Sequence, residues 1–138
     1  MNMIEAVRNY LCACPLLKDG ALRVDYLGDQ PTEYVVESVP TSAIVKRYAD
    51  GGTLREFLFL FASREFYGAD VLQNLENSGF YEKFSAWIEE QDEKRNYPDF
   101  RGGTVQKMET VTSGYLFDAT ENNARYQIQC RILYYQEG

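Results

Sequence analysis

The stretch "SAIVKRYADGGTLREFLFLFASREF", residues 42–66, is the clearest local signal in the chain. Two runs rich in β-branched and aromatic residues flank Asp50-Gly51-Gly52, and glycine takes the positive φ of a tight turn at no steric cost. The stretch therefore predicts a β-hairpin. In its second arm Phe57, Phe59 and Phe61 fall on one face, while Leu54, Leu58, Leu60 and Ala62 fall on the other, because strand side chains alternate. Both faces are apolar, so both call for cover. Helices can supply one, and either a neighbouring subunit or the N-terminal helix the other.

Working outward, "EYVVESVP" (33–40) and "LRVDYLG" (22–28) read as short strands or extended edge segments, bounded by Gly20, Gly28, Pro31 and Pro40. Further upstream, Met3, Val7, Tyr10, Leu11 and Cys14 recur at spacings of three and four, so residues 3–14 predict an amphipathic helix that stops before Pro15. Downstream, residues 69–95 are helical in composition. The apolar stripe moves, however, from Val71, Leu72 and Leu75 to Phe80, Tyr81, Phe84, Trp87 and Ile88 across "NSG" (77–79). With Gly79 as a stop and Asn77 or Ser78 as a cap, this predicts two helices with a break; one kinked helix also fits.

"EEQDEKRNYPDFRGG" (89–103) reads as a charged helix end and a loop. "TVQKMETVTSGYLFDA" (104–119) and "ARYQIQCRILYYQ" (124–136) predict a second hairpin around Thr120 to Asn123. In its last strand Tyr126, Ile128, Cys130, Ile132 and Tyr134 alternate with polar residues, the pattern of a half-buried antiparallel strand. The expected class is α+β: an antiparallel sheet of about four main strands with helices packed on one face. At 138 residues, 45% of them hydrophobic, residues 1–138 are expected to form one domain.

Composition narrows the function. With no histidine, the Ser-His and Cys-His nucleophile arrangements have no base. Cys12, Cys14 and Cys130 match neither a disulfide framework nor a structural zinc pattern. Neither Gly51-Gly52 nor Gly102-Gly103 precedes the Lys-Ser/Thr of a phosphate loop, so no cofactor is expected. Glu89, Glu90, Asp92 and Glu93 lie beside Lys94 and Arg95, as on a solvated helix end rather than in a catalytic pair. The chain is expected not to be an enzyme. A net charge of −7 argues against sequence-specific nucleic-acid binding; it either maintains solubility or repels DNA that must slide past. No apolar run reaches the roughly 20 residues of a membrane span, and Glu5 and Arg8 interrupt any signal peptide, so a cytoplasmic location is expected.

The load of 11 Tyr and 8 Phe exceeds what one core of this size calls for and points to interfaces. In "YPDFR" (97–101) the aromatics either meet a partner or fold back on their own domain. By residue type and location the candidate interface residues are Phe57, Phe59, Arg64, Glu65, Tyr67, Tyr97, Phe100 and Arg101.

"FLFLFASREFYGADVLQNLENSGFYEKFSAWIEEQ" (57–91), followed by "YPDFRGG" and the closing "YQIQCRILYYQ", resembles the minor capsid or tail terminator proteins of long-tailed bacteriophages and of prophages in Gram-positive bacteria. The match lies in the order hairpin, Arg-Glu-aromatic turn, Asn-rich helix, Trp-containing helix and terminal strand. The resemblance implies a virion structural protein that caps the tail tube as a homo-oligomeric ring, commonly of six subunits. Its partners would be the tail tube protein and the head-completion protein, with assembly in the bacterial cytoplasm and a final place at the head-proximal end of the tail. Some relatives carry labels suggesting chloramphenicol acetyl transfer, a chemistry for which this chain lacks the histidine. The first rival reading is an intracellular binding module for a small ligand or host protein, and the second a hydrolase that uses carboxylates without histidine.

Overall fold

The computed structural model describes residues 2–17, 22–24, 33–66, 71–100, 102–119 and 123–138. Along the chain lie α1 (Met3–Leu11), β1 (Leu22–Val24), β2 (Glu33–Val39), β3 (Ile44–Arg47), β4 (Thr53–Phe66), α2 (Val71–Glu93), β5 (Gly103–Thr110), β6 (Tyr115–Ala119) and β7 (Asn123–Gln136). The spine is β4 against β7, two 14-residue strands paired antiparallel from Thr53↔Gln136 to Phe66↔Asn123. On its outer side each of the two is flanked by two short strands rather than by one long one.

Each outer edge of this pair carries such a broken partner. Along β4, β2 pairs with residues 58–64 and β3 with residues 53–55, and both run antiparallel to it. The break between them falls at Pro40, which has no N–H to give to a ladder. Ala43 resumes the ladder by accepting from the Glu56 N–H at 2.8 Å, and the Thr41 hydroxyl donates to Glu56 Oε1 at 2.9 Å. Along β7, β5 pairs with residues 130–136 and β6 with residues 124–127. Here the break is an exchange at one residue: the Val111 N–H donates to the Gln129 carbonyl at 2.7 Å, while the Gln129 N–H donates to Thr112 Oγ1 at 3.1 Å.

The expected class is overturned. Instead of an antiparallel sheet of about four main strands with helices packed on one face, the described residues are mostly β and form a seven-stranded mixed sheet with two helices. β1 supplies the mixed character by running parallel to β2 from Leu22↔Tyr34 to Val24↔Val36. The expectation left the short segments at 22–28 and 33–40 out of its main strands and counted 104–119 as one arm where the structure has β5 and β6, because hydrophobic alternation says which side chains share a face but not which strands pair.

The 42–66 hairpin forms as read. Gly51 takes φ +92°, the Tyr48 N–H donates to the Gly52 carbonyl at 2.9 Å, and Asp50 Oδ1 accepts from the Gly52 N–H at 2.9 Å. Gly52 matters for a different reason: a Cβ there would lie 2.0 Å from the Tyr135 hydroxyl oxygen, so the end of that side chain would have to move. In α1, Asn2 Oδ1 accepts from the Glu5 N–H at 2.9 Å as the N-cap, and the helix ends at Leu11, three residues before the expected end.

No break divides α2, which runs 23 residues through Gly79. A mid-helix glycine costs about 1 kcal/mol, and Phe80, Tyr81, Phe84 and Ile88 beyond it hold the helix by packing into the core. The stripe of Val71, Leu72 and Leu75 lies outside the described side chains. The helix stops by backbone geometry: Arg95 takes φ 56°, its N–H donates to the Asp92 carbonyl at 3.1 Å, and the Asn96 N–H reaches the Gln91 carbonyl at 2.9 Å. This is a Schellman end with arginine where glycine is usual.

One core gathers Val7 and Leu11 of α1, Tyr81, Phe84 and Ile88 of α2, Phe59 and Phe61 of β4, and Ile128, Cys130 and Ile132 of β7. Phe61 and Phe84 stack at 4.5 Å between ring centroids. The opposite face of the sheet is not capped by α1, which belongs to this core. There Leu58 and Leu60 stay half-buried in a lattice of charged cross-strand pairs.

Candidate interaction surface

Several residues expected at an interface serve the chain's own core. Phe59 is fully buried, and Phe100 is only 4% exposed. Phe100 meets Phe57 edge-on at 6.0 Å and Tyr134 at 5.2 Å, while Phe57 stacks on Phe59 at 6.2 Å. These rings form a chain from residues 97–100 into β4. Tyr97, half-buried, donates its hydroxyl to Asp92 Oδ1 at 2.7 Å, and the same carboxylate oxygen accepts from the Met108 N–H at 2.9 Å. Lys107 Nζ lies 3.7 Å from the other oxygen. The loop is thereby strapped between the end of α2 and β5.

The charges in this strap follow from its contacts. Burial works to raise the Asp92 pKa, but the Met108 N–H, the Tyr97 hydroxyl and Lys107 together outweigh it and hold the carboxyl below its usual value of 3.8. Burial first, and then the Asp92 carboxylate, push Tyr97 up to about 12.

Glu65 is buried, and Arg64 is half-buried with Nη1 3.4 Å from Asn123 Oδ1. Tyr67 and Arg101 lie outside the described residues. The structure thus brings Phe57, Phe59 and Phe100 together and ties Tyr97 to Asp92, while Arg64 and Glu65 sit near the far end of β4.

What the structure exposes lies elsewhere. All five residues of β6, Tyr115 to Ala119, are exposed, with Leu116 at 43% and Phe117 at 59%. Val111, which precedes β6, is 50% exposed. β6 pairs with β7 on one side, and among the described residues no strand pairs with the other. Such an edge, apolar and with unpaired backbone groups, is a template for another chain. Sequence reasoning passed over it because "YLFDA" was absorbed into a long arm. Three consecutive apolar residues bounded by Gly114 and Asp118 were the available signal.

On the sheet face away from the helices, side chains form cross-strand ion pairs. Arg131 sits between Glu109, whose Oε2 accepts from Nη2 at 2.6 Å and Nε at 3.0 Å, and Glu56, whose Oε2 lies 3.4 Å from Nη1. Arg125 Nη2 donates to Glu37 Oε1 at 2.7 Å, and its guanidinium lies 5.2 Å from the Phe117 ring centroid. Beside Arg131 runs an open groove of about 380 Å³, bordered by Glu56, Leu58, Glu109, Val111 and Gln129. Its charged floor is already paired within the chain. Among the described residues no group of three His, Cys, Asp or Glu side chains could hold a metal ion, and no helix is long and apolar enough to cross a membrane.

Burial raises the Cys130 thiol far above its usual range, and Cys14 is raised for the same reason. Neither has the cationic surroundings that activate a nucleophilic thiolate. The described residues present an apolar strand edge, a polar face whose charges pair with one another, and aromatics packed into the chain's own core. No protein-family model matches the chain, and no curated protein matches it.

Proposed function

We propose that this protein is a structural subunit that works by self-association, capping the tail tube of a phage or prophage as a homo-oligomeric ring and joining it to the head-completion protein. The observation that carries the self-association is the β6 edge, five exposed residues with Leu116 and Phe117 outward and the second side of the strand unpaired among the described residues. The tail-terminating role rests on the resemblance of residues 57–91, 97–103 and 126–136 to that family. In this reading the subunit is made in the bacterial cytoplasm, needs no cofactor, and ends at the head-proximal end of the tail.

The rival binding-module reading would draw on the groove beside Arg131. That groove is open, and its guanidinium and two carboxylates satisfy one another, so a small ligand would have to displace internal ion pairs to bind. Among the described residues the second side of β6 has no strand to displace, which favours self-association.

Light scattering of the purified protein from micromolar to millimolar concentration tests the proposal. A species of about six subunits that grows in with concentration is expected for a closed ring. A strict monomer across the whole range, together with failure to bind purified tails that lack their terminator, would overturn it.

A further inference from the structure

A second edge matches the first. β3, Ile44–Arg47, pairs with β4 on one side, and among the described residues no strand pairs with its other side. Val45, Lys46 and Arg47 are exposed, Val45 at 52%, and Tyr48 follows at 38%. Lys46 makes no ion pair among the described residues; its ammonium lies 5.2 Å from the Tyr48 ring centroid. Arg47 also makes none among them. On a chain of net charge −7, this is a small basic and apolar edge. β6 is its counterpart, apolar and carrying Asp118, whose register partner Arg125 is committed to Glu37.

We infer that β3 of one copy pairs with β6 of the next, so that copies join head to tail through a continuous sheet. This rests on the self-association proposed above and names the surface that performs it. Three observations support it. First, the charges select: two β3 edges would set Lys46 and Arg47 against their like, whereas β3 against β6 sets them near Asp118. Like-charge contacts cost several kcal/mol and suppress the wrong pairing.

Second, the strand directions agree. β3 is antiparallel to β4, β4 to β7 and β7 to β6, so β3 and β6 run opposite ways within one subunit. Copies set side by side in the same orientation therefore form an antiparallel ladder, the more stable kind.

Third, the described strands leave the space open. β3 lies beside residues 53–55 of β4, and β6 beside residues 124–127 of β7, which face residues 62–65 of β4. The two edges thus occupy diagonally opposite corners, roughly 30 Å apart along the strands. β1 and β2 flank the far end of β4 from β3, and β5 flanks the far end of β7 from β6, so none of them covers the join. Unlike surfaces meeting head to tail close into a ring when the rotation per copy allows it, and the diagonal step inclines the strands to the ring axis as in a barrel. A ladder of four or five residues is small beside a standard interface of about 1,600 Å², so a single join is expected to be weak and to gain from closure.

The test is charge reversal with rescue. K46E/R47E makes both edges acidic, and D118K makes both basic. Each variant alone, verified as folded by circular dichroism, is expected to associate at least about tenfold more weakly than wild type, since like charges now face each other. A 1:1 mixture is expected to recover wild-type assembly with the two variants alternating, because each acidic edge then meets a basic one. If either variant alone assembles as wild type does, or if the mixture fails to recover, the β3–β6 join is wrong while self-association stands. If wild type itself stays monomeric and does not bind tails, the proposed function falls and this inference with it.

Discussion

Tyr81 carries a prediction that reports on how the sheet and α2 are locked together. Its hydroxyl lies 2.7 Å from Ser63 Oγ on β4 and donates to the Tyr126 carbonyl on β7 at 2.9 Å, while the residue is 2% exposed. Tyr81→Phe leaves the ring and its stacking on Tyr126, centroid to centroid 6.2 Å, and removes only the bridge. Two buried hydrogen bonds at about 1 kcal/mol each give a loss of about 2 kcal/mol. With an unfolding entropy of about 2.1 cal/mol/K per residue, that lowers Tm by roughly 7 °C for a chain of this length. The assay is urea unfolding followed by Trp87, the one tryptophan, which reports on the core through Phe84 at 6.3 Å.

The double-mutant cycle with Ser63→Ala sharpens the test. Removing both hydroxyls leaves no orphaned donor between them, so the double variant should cost less than the sum of the singles, by about 0.5 kcal/mol or more. Alkaline pH offers a third readout. Burial pushes the Tyr81 hydroxyl well above the usual tyrosine value of 10.0, the Ser63 hydrogen bond opposing. The folded state therefore holds this proton more tightly than the unfolded one: the stabilisation is complete below about pH 10 and erodes as pH rises further. Tyr81→Phe should unfold less steeply with alkali. A stability change within about 0.3 kcal/mol and an additive cycle would refute the bridge.

Other outcomes follow from single sites. Asp92→Asn is expected to cost about 1–3 kcal/mol, since the carboxylate anchors the Met108 N–H and the Tyr97 hydroxyl. Its folded pKa lies below the unfolded one, so this stability is present above about pH 4 and lost as pH falls through the folded value; an acid titration of the variant should show a shallower decline than wild type. Arg95→Gly should stabilise the protein by about 1 kcal/mol by relieving the φ of 56°, read as a higher urea midpoint. Gly114→Ala should destabilise it, because a Cβ would lie 2.3 Å from Tyr81 Cβ; a thermal midpoint equal to wild type would contradict that packing. A thiol reagent should titrate Cys12 alone in the native protein and all three cysteines after unfolding, since Cys14 and Cys130 are buried. Rapid native labelling of all three would contradict the burial.

Local signals were legible wherever one element meets its own periodicity. The 42–66 hairpin, the α1 stripe and the inward row Tyr126, Ile128, Cys130, Ile132 and Tyr134 of β7 could all be read from residue spacing, because period and turn chemistry act over a few residues. Where glycine was read as a stop it failed: Gly79 stays helical because tertiary packing of Phe80, Tyr81 and Phe84 outweighs a propensity of about 1 kcal/mol. The aromatic loop of Tyr97 and Phe100 could be read either way, and a carboxylate five residues upstream, Asp92, draws it back onto the domain.

From its sequence alone this protein could be read as one hairpin-rich domain without histidine chemistry. The register across the sheet was decided by tertiary structure: the parallel β1, the break at Gln129, and the pairing of Arg131 with Glu56 and Glu109. So was the exposure of β6 rather than of Phe59 or Phe100. The reason is physical. Alternation says which side chains share a face, but which strand ends at an edge depends on partners far away in sequence, and a strand's exposure is set by what fails to pair with it.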